Sequence, residues 1–181
     1  MTRFHSNTQR LIDYWRELGA DSRPPRREAV DPSHFARLAP QVFMLGRIAP
    51  GLYPVRLAGG LVTELHADPL RGRNLLSLFR ERDRFLLQTA LETARRRPEP
   101  VVATVQAVTE DGAALPLELL FAPLAGEPER FFGLYQPLAM VSRLDERPIR
   151  EFALGALQGV GPANEETPRL RLATLGGRRV A

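Results

Sequence analysis

The chain has 181 residues, 44% of them hydrophobic, a size and composition that fit one globular domain with flanking segments. It contains no cysteine and no run of 18 apolar residues, which excludes disulfides, thiolate nucleophiles and cysteine-ligated metals and predicts a cytoplasmic location without a membrane helix. The net charge of +4 comes from 25 basic residues, all arginine, scattered among 21 acidic ones, a pattern more typical of solvated surfaces than of a nucleic-acid interface.

The first segment predicts an amphipathic helix from Asn7 to Leu18. Leu11, Trp15 and Leu18 recur at helical spacing, and Gly19 supplies a stop signal. Such an apolar face must cover a sheet or contact another molecule. Because symmetric dimers commonly bury such a patch, we expect a homodimer or a contact with a signalling protein, with Leu11, Trp15 and Leu18 near it.

Two strands follow a linker and a short helix. The stretch from Asp21 to Arg27 is rich in proline and arginine and predicts the linker. Asp31 and Pro32 form a helix start, and Pro40 ends that helix. The next elements are two extended runs separated by a turn at Ala49-Pro50-Gly51, namely Gln41 to Ile48 and Tyr53 to Ala58.

The middle of the chain predicts helices. One or two turns are expected over Leu61 to His66, and another short helix over Asn74 to Phe79. A longer helix is predicted from Glu81 to Arg96, with a broad apolar stripe. The residues of that stripe are Phe85, Leu87, Ala90, Leu91 and Ala94.

The second half of the chain predicts three strands, over Val101 to Thr109, Leu115 to Ala122 and Arg130 to Met140. Phe131 and Phe132 are neighbours and must point to opposite faces of the sheet, so both faces need cover. Helices inserted between two blocks of antiparallel strands predict an α+β fold.

The tail is less regular. Ile149 to Leu157 fits either a short helix or a strand, and Arg169 to Leu175 alternates as a final strand would. The expected organisation is an N-terminal helix and linker over residues 1–30, a core over 31–141 and a C-terminal extension over 142–181.

Several segments resemble the PAS domain family, more narrowly the stand-alone PAS proteins of bacteria. The segment Tyr53-Pro-Val-Arg-Leu-Ala-Gly-Gly60 resembles a family segment of the form arginine-leucine-alanine-glycine-threonine, with Gly60 in place of the threonine. The other matching segments are Leu11-Ile-Asp-Tyr-Trp15, Pro25 to Pro32, Leu70-Arg-Gly-Arg-Asn-Leu-Leu76 and Phe132-Gly-Leu-Tyr-Gln-Pro-Leu138.

This resemblance implies a five-stranded antiparallel sheet with short helices inserted between strands 2 and 3. It also implies sensing, dimerisation or partner binding as the activity. No haem is expected, because none of the three histidines lies in the helix Glu81 to Arg96. Flavin chemistry through a cysteine adduct and a thioester-linked chromophore both require a cysteine, which the chain lacks. Non-covalent flavin stays open but has no positive sign in the sequence, and we expect no cofactor.

The candidate site residues lie where such a fold has its cleft. A cleft ligand would contact Arg56, His66, Phe79, Leu87, Leu91 and Tyr135. Arg56 could either pair with a carboxylate that fastens the sheet or anchor an acidic ligand or partner group. His66 and Asp68 supply only two possible metal ligands, so no metal site is expected, and we predict no catalytic residue.

Three function classes remain open. The leading hypothesis is a non-enzymatic sensor or interaction module that binds a small molecule or regulates a partner protein. The second is a nucleic-acid-associated regulator that uses the scattered arginines. The third is a small α+β enzyme with an acid–base site. A mostly apolar cleft would favour the sensor, and a charged pair would favour the enzyme.

Overall fold

Seven strands form one antiparallel sheet in the computed structural model, which describes residues 4–19, 23–161 and 172–173. Their order is β2-β1-β5-β4-β3-β6-β7, so the five-stranded core is confirmed and β6 and β7 extend it. The strands are β1 Val42–Gly46, β2 Val55–Ala58, β3 Val101–Thr109, β4 Ala114–Leu124, β5 Arg130–Pro137, β6 Ile149–Gly159 and β7 Leu172–Ala173.

Three α-helices and four 3-10 segments complete the described chain. The α-helices are α1 Ser6–Leu18, α2 Gly60–His66 and α3 Glu81–Arg96, and the 3-10 segments are Arg27–Ala29, Pro32–Gln41, Leu75–Leu78 and Val141–Leu144. Helices α2 and α3 lie between β2 and β3 in the chain, which confirms the predicted α+β arrangement. Among the described residues, no helix combines the length and apolarity needed to cross a membrane.

The sheet buries apolar side chains on both faces. On the face that we call inner, Phe131 belongs to a cluster with residues of α2 and α3. On the opposite, outer face, Phe132 belongs to a second cluster with α1 and the Pro32–Gln41 segment. The alternation of the two phenylalanines therefore matches the prediction, because successive residues of a strand point to opposite faces.

Helix α1 covers the outer face. Leu11 and Trp15 are buried within the chain, and the Trp15 indole Nε1 donates a hydrogen bond to the Pro123 carbonyl oxygen at 2.7 Å. The backbone N–H of His5 also donates to the Glu118 carboxylate, with an N–O distance of 3.1 Å. Neither Leu11 nor Trp15 is free to contact a partner in this conformation, and Leu18 is half-buried at the helix end.

Helix α3 places its apolar residues differently from the prediction at one position. Leu87, Leu91 and Ala94 are buried, but Phe85 is 73% exposed, so its expected place in the buried stripe is wrong. An α-helix turns about 100° per residue, which places Phe85 about 160° around the axis from Leu87. The side of α3 that carries Phe85 does not face the sheet.

A close approach of the backbone explains why residue 59, in the segment Tyr53 to Gly60, is glycine. A Cβ atom on Gly59 would lie 2.4 Å from the carbonyl oxygens of both Ala39 and Pro40. The Gly59 N–H also donates to the Val42 carbonyl oxygen at 2.8 Å. Only a residue without a side chain lets the start of α2 pack this tightly on the end of the preceding 3-10 segment.

The tail joins the same sheet. Ile149–Gly159 is a strand, which resolves the alternative between helix and strand, and it pairs antiparallel with β3. This part of the segment 142–181 therefore continues the core sheet. Leu172–Ala173 forms β7 within the predicted final strand, whose other positions lie outside the described residues.

Replacing Trp15 tests the role of α1 as cover. We expect Trp15→Ala to lower the free energy of unfolding by about 3–5 kcal/mol, because it removes a large buried aromatic ring. Urea denaturation followed by circular dichroism measures the change. Glu17→Ala, at an exposed position of the same helix, is the matched control and should change little. Equal stability of the two variants would contradict the role.

Candidate functional site

A cluster of aromatic rings fills the cleft between the inner face of the sheet and the internal helices. Phe152 of β6 is central to it, with ring centroids 5.1 Å from Phe79, 5.8 Å from Tyr135 and 5.6 Å from His66. Phe43 of β1 adds a further ring, 5.3 Å from Tyr135. These rings contact edge-on or tilted, which are favourable geometries for aromatic pairs.

His66 and Tyr135 are the polar members of this cluster. The Tyr135 Oη and His66 Nε2 atoms are 3.5 Å apart, at the limit of a hydrogen bond. Burial lowers the pKa of His66 to about 4, so the imidazole is neutral at pH 7. Burial likewise raises the pKa of the Tyr135 hydroxyl. The cleft is therefore apolar and uncharged at physiological pH.

Five of the six predicted ligand contacts meet in this cleft. Leu87 and Leu91 lie four residues apart on α3 and project from the same face of the helix, and both belong to the inner cluster. Phe79 and Tyr135 belong to that cluster too, and His66 contacts it through Tyr135 and Phe152. The sixth, Arg56, is exposed on the outer face, away from the cleft. Contact with a ligand stays a prediction for all six.

Sequence reasoning missed two aromatic rings of the cleft, Phe43 and the central Phe152. Phe152 lies in the tail, where the sequence left helix and strand open, and only the pairing of β6 with β3 brings it back to the core. Two hydrogen bonds hold this part of β6 against the start of α3, one from Arg80 N to the Phe152 oxygen at 3.1 Å and one from Leu154 N to the Asp83 carboxylate at 2.9 Å. A ligand that enters between Phe79 and Tyr135 must displace the Phe152 ring.

The described side chains of the cleft leave no room for a cofactor with a large ring system, because their own aromatic rings already contact one another there. A haem iron would need a histidine ligand. The histidine of this cluster is His66, and its Nε2 atom already faces the Tyr135 hydroxyl. No group of three or more metal-ligating side chains comes together within the described residues.

An ionic network closes one end of the inner face. Arg47, directly after β1, donates from Nε to Glu92 Oε1 of α3 and from Nη1 to Glu129 Oε2, both at 2.7 Å. The Tyr53 hydroxyl donates to Glu92 at 2.5 Å, and Arg95 donates to Glu129 at 2.9 Å. Three side chains thus share two carboxylates, and no short-range sequence pattern indicates such a network.

The network fixes the charge states of its members. Burial opposes the ionisation of Glu92, but hydrogen bonds from Arg47 and Tyr53 outweigh it and hold the pKa of the carboxyl below its usual value. Hydrogen bonds to Glu92 raise the pKa of Arg47 further. Burial and the bond to Glu92 together raise the pKa of the Tyr53 hydroxyl. The β1–β2 hairpin is thereby tied to α3 by charge-assisted hydrogen bonds.

Arg56 has a different environment from Arg47. Its side chain lies over Gly46 on the outer face, where a Cβ on Gly46 would be 2.8 Å from the Arg56 Nε. Arg56 lies where the register between β1 and β2 shifts, opposite the step from Met44 to Leu45. Within the part of the chain that the structure describes, it forms no ion pair, so the expected alternative of a fastening carboxylate has no partner there.

Burial of His66 predicts a stability loss in mild acid. The folded pKa of His66, about 4, lies below the unfolded value of 6.5. Its contribution to the free energy of unfolding is therefore complete above pH 6.5 and is lost as the pH falls towards 4. We expect wild type to lose roughly 3 kcal/mol relative to His66→Leu over this range. Urea denaturation of both proteins at pH 7 and pH 4 measures the loss. Parallel pH profiles would contradict it.

The Glu92 carboxylate predicts a separate effect at lower pH. Its folded pKa is depressed, so its contribution is present above the unfolded value of 4.5 and is lost as the pH falls through the folded value. At pH 7 we expect Glu92→Gln to cost about 2 kcal/mol, because it weakens hydrogen bonds to a charged group. Denaturation across pH measures this. The exposed Glu110→Gln is the control, and a cost that does not shrink as the pH falls would contradict the assignment.

A family model described as PAS domain matches residues 3–136 of the chain. The "Rhodobacter Sphaeroides LOV protein" is a similar solved structure, with 15% identity, a TM-score of 0.46 and coverage of 64% of this chain and 72% of that one. An "RNA-binding Light-Oxygen-Voltage Receptor" has 18% identity, a TM-score of 0.47 and coverage of 68% and 38%.

No curated protein matches the chain in sequence. With TM-scores below 0.5, the two solved structures add nothing to the assignment, which depends on the family model. That model covers most of the chain, and the observed strand order and inserted helices agree with it. PAS domains are generally sensory or interaction modules rather than catalysts. The chain belongs to the PAS domain family.

Proposed function

We propose that this PAS domain regulates a partner protein, in the cytoplasm, by binding it through the tip of the β1–β2 hairpin. The tip comprises residues 47–54, between the two strands. The absence of cysteine supports the reducing location. The single observation that carries the proposal is the exposure of large apolar side chains on this hairpin.

Three of the six exposed large apolar side chains among the described residues lie on the hairpin, while Leu138 and Met140 lie just after β5. Ile48 is 60% exposed and Leu52 is 40% exposed at the tip, and Leu57 of β2 is 48% exposed. A Cβ on Gly51 would lie 3.1 Å from the side-chain oxygen of Gln88 of α3, one turn from the exposed Phe85. Apolar side chains grouped in this way are typical of surfaces that bind another protein.

The tip is held rigidly, which favours binding. Ile48 N donates to the Leu52 oxygen at 3.1 Å, and the Asn74 side-chain amide donates to the Gly51 oxygen at 2.9 Å. The same Asn74 accepts a hydrogen bond from Tyr53 N at 2.9 Å. A surface that is already ordered loses little conformational entropy when a partner binds.

The ionic network supports a route from the cleft to the tip. Helix α3 contributes Leu87 and Leu91 to the cleft and Glu92 to the network with Arg47 and Tyr53, which begin and end the hairpin loop. A small ligand that displaced Phe152 would move α3 and thereby the hairpin. Partner binding is then ligand-dependent if such a ligand exists and constitutive if none does.

The polarity of the cleft favours this function over an enzyme. An acid–base enzyme needs a titratable pair in its cleft, whereas here a neutral imidazole and a tyrosine hydroxyl lie among phenylalanine rings. The charged groups around the cleft already have partners: Arg47 is hydrogen-bonded to Glu92, Arg73 to Asp68, and the Asp83 carboxylate accepts from the Leu154 N–H.

Substitutions at the tip test the proposal. We expect the double variant Ile48→Ser/Leu52→Ser to lose at least tenfold in the amount of partner captured from a lysate of the native cells, because it removes the apolar contact. Quantitative mass spectrometry of the captured proteins provides the measurement. Met140→Ser is the control, since Met140 is exposed at a different place, after β5, and this variant should capture as wild type does.

Three outcomes would contradict the proposal. Equal capture by the double variant and wild type would exclude the hairpin tip. Capture of nucleic acid that is lost at high salt would favour the regulator that uses its arginines. Light scattering over a concentration series identifies the third outcome, a homodimer through the tip that captures no other protein.

A further inference from the structure

Two arginines without an acidic partner among the described residues lie over the same part of the outer face. Arg56 of β2 folds across Gly46, where a Cβ would be 2.8 Å from its Nε and 3.5 Å from its Nη2. Arg130 is the register partner of Gly46 on β5, and its Nη1 is 3.9 Å from the Met44 sulfur. The two guanidinium groups therefore flank β1 from its two neighbouring strands.

Their spacing suits one anion between them. Met44 and Gly46 are two residues apart on β1, point to the same face and are separated by about 7 Å along the strand. Each guanidinium lies beside one of these two positions. Charge-assisted N–O hydrogen bonds span about 2.8 Å, so a single oxyanion placed between the groups can accept from both. Because Gly46 has no side chain, the Arg56 side chain can lie across β1 at this position.

The nearby carboxylates are already used on the other face. Glu92 and Glu129 bind Arg47 and Arg95 on the inner face of the sheet. Gly46 and Arg47 are neighbours and point to opposite faces, so the sheet separates the paired arginine from the two unpaired ones. Two like charges held close together without a counterion favour an anion from another molecule.

We propose that Arg56 and Arg130 form an anion site that takes a carboxylate of an acidic segment of the partner protein. The proposal rests on the partner-binding function and adds the chemistry of the partner. Leu57, beside Arg56 on the edge strand, is 48% exposed and would contact an apolar side chain next to that carboxylate. A phosphate group would make no favourable contact with the apolar side chain of Leu57.

The test uses the full chain and a tetrapeptide probe with blocked ends, of sequence Glu-Leu-Glu-Leu. Nitrogen-15 spectra of the arginine Nε–H groups, assigned with Arg56→Gln and Arg130→Gln, report binding at constant ionic strength. We expect saturable shifts at Arg56 and Arg130, and none with the matched probe Gln-Leu-Gln-Leu. Inorganic phosphate is the third probe and should bind more weakly than the glutamate peptide.

The variant Gly46→Ala tests whether peptide binding depends on this site rather than on the positive charge of the protein in general. The new methyl group would displace the Arg56 guanidinium, a flexible side-chain end, so the strand should remain intact. We expect the affinity for the glutamate peptide to fall about tenfold, the loss typical of one charge-assisted hydrogen bond. Gly159→Ala, in β6 with open space around it, is the matched control and should bind as wild type does.

Each contrary outcome overturns the site. Absent shifts, equal shifts with the glutamine peptide, or tighter binding of phosphate would exclude a carboxylate ligand. If Gly46→Ala unfolds, as judged by circular dichroism, Arg56→Gln replaces it with the same expected loss. If capture from the lysate depends on Ile48 and Leu52 while no peptide binds, the anion site fails and the hairpin function stands.

Discussion

The sheet is apolar on both faces, and this property determines how the rest of the chain is arranged. Phe131 and Phe132 are adjacent in β5 and point to opposite sides, so each face must be covered to remove it from water. Helices α2 and α3 cover the inner face, and α1 with the Pro32–Gln41 segment covers the outer face. Because both covers come from this chain, the buried side chains of Leu11 and Trp15 are used for folding.

The β1–β2 hairpin places arginine side chains on both faces of the sheet. Residues 46 and 47 point in opposite directions, so one arginine environment lies on each side of the sheet. On the inner side Arg47 is neutralised by Glu92 and Glu129, which ties the hairpin to α3. On the outer side Arg56 and Arg130 have no carboxylate among the described residues. The same hairpin thus combines a rigid attachment to the cleft, an apolar tip and an uncompensated positive charge.

This arrangement suggests a physical route for the proposed sensing function. The cleft contains no charge at neutral pH, and its rings are in contact, so any signal that enters it must act by displacing side chains such as Phe152. Helix α3 contacts the cleft with one face and the hairpin with another. Under the proposed function, a displacement in the cleft would reach the tip through Glu92, because packed helices move as units rather than deforming locally.

The sequence by itself determined the order of the elements, the α+β class, the five core strands and the two-sided sheet, because these follow from local periodicity and from glycine and proline signals. It also indicated five side chains that meet in the cleft. Only the tertiary structure decided that Phe85 faces solvent, that Phe152 enters the cleft, that Arg47 shares two carboxylates and that Arg56 and Arg130 flank Gly46. The two Arg47 contacts join residues 45 and 82 positions apart, and the others depend on strand pairing, strand register or helix rotation, which no local pattern encodes.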